Sequence, residues 1–140
     1  MTDTIRLEPN PTNQCFGCGG ANAGGMMLTF EQDNRNQRIV GRFLLGERYQ
    51  GGGGFAHGGI IALLLDEAMG KVCRFRQVRA VTAELTVEYL RPVRVADEIV
   101  VEGREVELQG RNLFLAGEIR NHGGEVLARA RGRFVILGHK

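Results

Sequence analysis

Residues 57–73 read HGGIIALLLDEAMGKVC, and this stretch decides the fold. It predicts a helix from Gly59 to Cys73, and large aliphatic side chains cover most of the circumference of that helix. A helix that is apolar nearly all round must be enclosed by other elements rather than docked on one side. The sequence therefore predicts one central helix wrapped by the rest of the chain.

Strands are predicted on both sides of this helix. Apolar and polar residues alternate after residue 78, which is typical of a strand with one buried face. The residues expected on that buried face are Val81, Ala83, Leu85, Val87 and Tyr89. Further strands are predicted at 26–31, 38–45, 98–108, 112–121 and 126–137. Gln109-Gly110 and His122-Gly123-Gly124 are tight-turn sequences, so the late strands must run antiparallel.

These elements predict an α+β fold, in which an antiparallel sheet of about six strands wraps around one long central helix. A single sheet of this size leaves two open edge strands, and pairing with a second copy is a common way to cover them. We expect at least a homodimer.

Length and composition narrow the class of protein. The chain has 140 residues, of which 43% are hydrophobic and 24% charged, so residues 1–140 are expected to form a single domain. A net charge of +2 and an aromatic content of 6% argue against nucleic acid as a partner. No apolar segment reaches the roughly 18 residues that span a bilayer, and the first residues do not resemble a signal peptide. We expect a cytoplasmic protein that does not bind membranes.

Residues 1–25 are predicted to form an N-terminal arm that contains the motif Cys15-x-x-Cys18. Thiolates at this spacing bind metals well, but a structural zinc site needs four ligands and the sequence has no second such pair. Cys73 is most simply a small buried hydrophobic residue. We therefore expect no metal, and a zinc site or a redox pair is the weaker alternative.

A glycine-rich loop leads into the helix and includes Gln50 and the run Gly51 to Gly54. The first turn has no Ser, Thr, Asp or Asn as a side-chain cap, so backbone N–H groups are expected to be free there. Free donors at the positive end of a helix suit an anion or a developing oxyanion. In the alternative interpretation, the glycines only let the helix enter the sheet without a clash.

Asp66 is the candidate base. It shares one helical stripe with the small or apolar residues Gly59, Ala62, Gly70 and Cys73. A carboxylate held there would be partly desolvated, and desolvation raises its pKa and makes it a better base near neutral pH. The alternative is an ordinary surface acid. The neighbouring Glu67 precedes Lys71 by four residues and is expected to form an ion pair with it.

The spacing of Gly58 and Asp66 adds a geometric argument. Eight residues of helix separate them by about 12 Å, which is too far for both to act on one carbonyl group. Because each chain has one suitable helix, the helix start and the carboxylate must come from different chains. The site is therefore predicted to straddle two subunits.

The stretch from His57 to Gly70, with an acid nine residues after the histidine, resembles the signature of hotdog-fold acyl-CoA thioesterases of the PaaI type. The resemblance extends to Tyr89-Leu90-Arg91-Pro92. Cys15-Phe16-Gly17-Cys18-Gly19, followed by Met27-Leu28, is similar to a THEM4-like branch of that family. The resemblance covers most of the chain.

What the resemblance implies is hydrolysis of acyl-CoA, with CoA entering as part of the substrate and no other cofactor. In that family the glycine corresponding to Gly58 offers its N–H to the thioester oxygen, and Asp66 of the other subunit acts as general base or nucleophile. Thr82 is the best match for a hydroxyl group that orients water, and His57 shapes the glycine turn. The acyl group expected from the family is short-chain or aryl.

Further substrate contacts are expected from less specific signals. Many members of that family carry an Asn or Gln a few residues before the HGG motif. Here Gly51 occupies the more usual place, and Gln50 lies seven residues before His57. Gly59 follows Gly58 and Glu67 follows Asp66, and both are expected to contact the substrate. From the five arginines at positions 74, 76, 79, 91 and 94 we select Arg91 and Arg94 as ligands of the CoA phosphates. Residues proposed to set the depth of the acyl pocket are Phe43, Phe55, Leu90 and Phe114.

Two other functions are compatible with the same fold. A hydratase or dehydratase would need His57 as a working base, and an acyl-CoA-binding module would need no catalytic group. Asp66 argues against the binding module, because a carboxylate on that face costs stability and serves binding poorly. Hotdog dimers often pair again, so a tetramer built as a dimer of dimers is also compatible with the resemblance.

Overall fold

The computed structural model describes residues 3–140, which form seven strands and one long helix. The strands are β1 (Thr4–Leu7), β2 (Phe30–Asp33), β3 (Arg38–Leu44), β4 (Val78–Tyr89), β5 (Glu98–Gln109), β6 (Asn112–Asn121) and β7 (Val126–His139). The helix α1 spans Gly58–Lys71, and short 3₁₀ helices lie at Glu47–Tyr49 and Val72–Arg76.

All strand pairs are antiparallel, in the order β1-β2-β3-β5-β6-β7-β4. The helix α1 packs against one face of this sheet and contacts β3, β4, β5, β6 and β7. Its large side chains Leu64, Leu65 and Met69 are fully buried. The predicted architecture of one helix wrapped by an antiparallel sheet is confirmed.

The helix begins one residue earlier than predicted, at Gly58, and the α-helical part ends at Lys71. Cys73 falls in the following 3₁₀ turn, where it is buried as predicted. Within residues 3–140, no helix combines the length and the apolar character needed to cross a membrane.

The sheet has seven strands rather than about six, because part of the predicted N-terminal arm forms β1. Residues 1 and 2 of that arm lie outside the described range. Thr4–Leu7 pairs with β2, from Thr4 opposite Asp33 to Leu7 opposite Phe30. A strand of four residues that ends before two prolines is too short to produce a clear alternation in sequence.

The predicted strand at 26–31 is displaced, since β2 begins at Phe30. Met27 has a positive φ of 49°, which interrupts an extended conformation. The backbone N–H groups of Met26 and Leu28 donate to the carbonyl groups of Phe16 and Gly17 instead of to a sheet neighbour. Residues 26–29 therefore hold in place the segment 15–19, which carries Cys15 and Cys18 and is called the cysteine loop below.

A β-bulge in β4 changes the predicted alternation. Thr82 lies opposite Phe134 and Glu84 lies opposite Arg133, so Ala83 is the extra residue. The bulge reverses which residues face α1: Thr82 does so before it, and Leu85 and Val87 do so after it. The prediction that Val81 shares the buried face with Leu85 is wrong, and Val81 is 49% exposed.

Candidate functional site

The start of α1 is capped by the side chain of His57, a residue type outside the usual Ser, Thr, Asp and Asn caps. The Nδ1 atom of His57 accepts a hydrogen bond from the backbone N–H of Gly59 at 2.9 Å. The expectation of an uncapped first turn is therefore wrong for Gly59, because a histidine can accept through an unprotonated ring nitrogen. The N–H of Gly58 has no hydrogen-bond partner among residues 3–140.

Tyr89 fixes the other side of Gly58. Its hydroxyl group donates to the Gly58 carbonyl at 2.8 Å, from the end of β4. The alternation in sequence predicts that Tyr89 shares a face with Leu85 and Val87, but the hydrogen bond to Gly58 joins distant parts of the chain and has no signal in the sequence. The carbonyl of Gly58 is thus held from the sheet, and its N–H remains a free donor.

Asp66 lies in the middle of α1 and is half-buried. The hydroxyl group of Thr82 donates to its Oδ1 atom at 2.7 Å. Burial raises the pKa of Asp66 above its ordinary value, the bond from Thr82 opposes this rise, and the negative charge of Glu67 adds to it. Asp66 is therefore not an ordinary surface acid, and the structure brings it together with Thr82.

A cavity of about 830 Å³ lies beside Asp66 and Thr82. Its lining carries charges of both signs, with the carboxylates of Asp66 and Glu67 and several cationic side chains. Those cations are Arg6, Lys71, Arg74, Arg79 and Lys140. Arg6 and Lys140 lie near opposite ends of the chain, so nothing in the sequence marked them as neighbours of Asp66.

The start of α1 borders a different pocket, of about 330 Å³. Gly58, Tyr89, Leu90 and Arg91 are among the residues that line it. Because Gly58 and Asp66 are about 12 Å apart along the helix, one chain presents two half-sites: a carboxylate with its hydroxyl partner, and a free backbone donor.

The remaining predicted contacts lie around the second half-site. Gln50 and Gly51 are exposed and precede α1, and the side-chain amide of Gln50 donates to the Glu47 carbonyl at 3.2 Å. The guanidinium group of Arg94 lies over the ring of Phe55, 5.4 Å from its centroid. Arg91 forms an exposed ion pair with Glu125 at 3.3 Å.

The four residues proposed to set pocket depth are not gathered in one place. Phe55 and Leu90 line the pocket at the start of α1. Phe43 borders a separate surface pocket and packs edge-on against Phe30, with ring centroids 5.2 Å apart. Phe43 and Phe55 therefore border two different pockets.

Glu67 does not pair with Lys71, so the predicted ion pair is wrong for the described residues. Its carboxylate accepts a hydrogen bond from the thiol of Cys15 at 3.3 Å, and the Lys71 ammonium group lies over the ring of Phe30 at 5.8 Å. Burial and the charge of Glu67 raise the pKa of Cys18 to about 12. Glu67 thus faces the cysteine loop, a contact that only the tertiary structure reveals.

Comparison with known proteins agrees with this architecture. A family model described as the thioesterase superfamily matches residues 53–128, more than half of the chain. The acyl-coenzyme A thioesterase THEM4 of Bos taurus is 32% identical over 125 residues, which cover 89% of this chain and 52% of that protein. The chain spans about half the length of the curated relatives it matches.

Solved structures give the same result for the fold. The thioesterase superfamily protein RHA08564 is 30% identical, with a TM-score of 0.81 over 87% of this chain and 60% of that chain. The PaaI protein of E. coli is 22% identical, with a TM-score of 0.70 over 74% of this chain and 75% of that chain. The hotdog fold that the resemblance implied is confirmed, and the chain belongs to the thioesterase superfamily.

Proposed function

We propose that this protein hydrolyses acyl-CoA thioesters at a site built by two copies of the chain. Family membership and the name of the Bos taurus relative support this reaction class. The proposal for the site rests on the position of Asp66. This residue is half-buried beside a cavity and accepts a hydrogen bond from Thr82. It lies far along α1 from the free N–H of Gly58.

Asp66 is the group that activates the attack on the thioester. The bond from Thr82 occupies Oδ1 and fixes the carboxylate, which leaves Oδ2 to accept a proton from water. The water oxygen then bonds to the carbonyl carbon of the substrate. In a second version Asp66 itself attacks that carbon, and water opens the resulting anhydride. The geometry of one chain is compatible with both versions.

Gly58 of the partner subunit stabilises the negative charge that develops on the thioester oxygen. A backbone N–H at a helix start suits this role, because the peptide dipoles add to the hydrogen bond and the donor needs no reorganisation. When the tetrahedral intermediate collapses, the sulfur of CoA leaves and receives the proton held by Asp66. The products are a carboxylic acid and free CoA, and no redox or metal chemistry is required.

Strand β4 offers a surface for the second copy. Among residues 3–140 it pairs only with β7, so its other edge is open over twelve residues. Val81, Tyr89 and Leu90 on or just after this strand are 49%, 56% and 44% exposed. A long edge strand with exposed apolar residues favours pairing. A dimer through β4 would bring Tyr89 and the start of α1 toward the partner subunit. A tetramer made of two such dimers stays a prediction.

Cations are placed to bind the phosphates of CoA. Arg6, Arg74 and Arg79 border the cavity beside Asp66, and Arg91 borders the pocket at the start of α1. In a two-copy site both sets would lie near one substrate, so Arg91 and Arg94 keep their proposed role beside the cavity cations.

Three cysteines that form no disulfide fit the reducing cytoplasm, which we propose as the compartment.

The dehydratase alternative receives no support from His57. Its Nδ1 atom caps α1, so the neutral ring carries its proton on Nε2 and can act as a base only by giving up the cap. His57→Ala is therefore expected to retain measurable hydrolysis, whereas a dehydratase would lose nearly all activity.

The test is a panel of acyl-CoAs of short, long and aryl type, with release of free CoA followed by a thiol-reactive dye. Asp66→Asn should lower turnover of the best substrate by about 100-fold or more, the usual contribution of a general base. Asp97→Asn is the matched control, since Asp97 is exposed and does not border the cavity. Saturable CoA binding without thiol release in the wild type would instead support a binding module, and normal turnover in Asp66→Asn would remove the mechanism.

A further inference from the structure

A cluster of three potential metal ligands lies beside the catalytic cavity. The Sγ atoms of Cys15 and Cys18 and a carboxylate oxygen of Glu67 all lie within 4.8 Å of one another. All three residues are half-buried. The motif Cys-x-x-Cys was visible in the sequence, but the third ligand comes from α1, so sequence spacing alone made the site look incomplete.

The cysteine loop is shaped to lie on Glu67. A Cβ atom at Gly17 would be 2.5 Å from the Glu67 carboxyl group, so a larger residue at this position would displace that carboxyl group from the loop. Two hydrogen bonds hold the first cysteine: its N–H donates to the side chain of Asn13 at 2.8 Å, and its carbonyl accepts from Gly19 N–H at 2.9 Å. The two thiols are therefore brought to the carboxylate by a fixed backbone rather than by flexible side chains.

We propose that Cys15, Cys18 and Glu67 bind a zinc ion. Two thiolates select zinc over magnesium or calcium, and a carboxylate is an accepted third ligand. Three anionic ligands around a divalent cation leave one negative charge, which Lys71, a neighbour of Cys18 along the cavity wall, can balance. Cys18 and Glu67 border the cavity, so water has access to the fourth position of a tetrahedral site.

The zinc ion would fasten the N-terminal segment to the central helix. Between β1 and β2, residues 8–29 contain no helix or strand, and they are held mainly by loop hydrogen bonds. A metal that joins this segment to Glu67 would supply much of its folding free energy. Because its fourth ligand would be water, this site differs from a closed structural zinc site with four protein ligands. Its proposed role is to fasten the N-terminal segment, and thioester hydrolysis does not pass through it.

Metal binding by the wild-type chain is the first test. The reduced protein is stripped with a chelator, loaded with ZnCl₂ or CoCl₂, and dialysed. We expect about one zinc per chain by mass spectrometry, and for cobalt the thiolate charge-transfer absorption and the intense visible bands of a tetrahedral site. Loss of zinc on dialysis, or a cobalt spectrum without thiolate charge transfer, would overturn the proposal.

Variants locate the site. Cys15→Ser and Cys18→Ser should each lose the cobalt charge-transfer band or most of the bound zinc, and Glu67→Gln should weaken zinc binding. Cys73→Ala is the matched control, because it removes the third cysteine outside the cluster and should bind like the wild type. Binding that survives both serine variants, or that Cys73→Ala abolishes, would contradict the assignment.

Limited proteolysis tests the structural role without any measurement of turnover. At a zinc concentration 100 times the dissociation constant, cleavage between residues 8 and 29 should slow by about 100-fold if zinc binds only the closed segment. Magnesium at the same concentration should have no effect, and Cys18→Ser should not respond to zinc. Equal cleavage with and without zinc, or a Cys15–Cys18 disulfide in freshly purified zinc-free protein, would overturn the proposal.

Discussion

The hydrogen bond between Thr82 and Asp66 is the contact on which the proposed hydrolysis depends. At 2.7 Å it joins β4 to the middle of α1 and fixes one oxygen of the carboxylate. Burial raises the pKa of Asp66, and the bond partly compensates by stabilising the charged form. In the proposed mechanism Thr82 therefore positions Asp66, whether Asp66 activates water or attacks directly.

Thr82→Ala should lower kcat by about 10-fold to 100-fold, because an unfixed carboxylate spends less time in the reactive geometry. KM should change little, since the hydroxyl group bonds to Asp66 rather than to the substrate. Thr82→Ser keeps the donor and should recover most of the lost activity. Steady-state kinetics on the best acyl-CoA measures both variants, and equal kcat values for the wild type and Thr82→Ala would show that the bond has no role in turnover.

At the scale of elements, the helix could be predicted well and the strands only in part. The apolar pattern from Ile60 to Val72 is longer than a typical buried strand and covers most of a helix circumference, so it predicts a central helix. The bulge at Ala83 could not be predicted, since an extra residue in a strand has no side-chain signature of its own. It is this bulge that places Thr82 on the helix side.

The β2–β3 turn is an element whose stability depends on one ionised side chain. Asp33 accepts hydrogen bonds from Asn36 and Arg38, which lower its pKa from 3.8 to about 2. Because its folded pKa lies below its unfolded value, its contribution to stability is present above pH 3.8 and is lost as the pH falls toward 2. Asp33 thus stabilises the turn through these hydrogen bonds while its carboxyl group is charged.

Asp33→Asn should therefore be less stable than the wild type at neutral pH, and the difference should shrink as the pH falls through this window. Urea unfolding of both proteins at pH 7 and at several acidic values measures the effect. A difference that is the same at every pH would show that the charge of Asp33 does not stabilise the turn.

At the scale of the whole molecule, the sequence reveals the candidate residues but not all of their partners. The spacing of Gly58 and Asp66 was enough to predict two half-sites, because helix geometry fixes their separation. The approach of Cys15 and Cys18 to Glu67, and of Arg6 to the Asp66 cavity, could not be predicted. Such contacts join distant parts of the chain, and no local periodicity encodes them.

The proposed site is divided between two copies of the chain, and Gly58→Pro tests this division. Gly58 is the first residue of α1, where proline is well tolerated and removes only the N–H donor. His57 before it has the extended backbone that a following proline requires, with φ −63° and ψ 135°. Gly58→Ala keeps the donor and is the control, since its Cβ atom would meet Tyr89 at an ordinary 3.6 Å.

The decisive measurement is the activity of a mixed dimer. Chains carrying Asp66→Asn and Gly58→Pro are co-expressed with different tags, and the dimer that contains one of each is purified. Each parent dimer should be nearly inactive, whereas the mixed dimer contains one intact site out of two and should recover about half of the wild-type activity. A mixed dimer as inactive as its parents, with both variants folded and paired, would contradict a site shared between two copies.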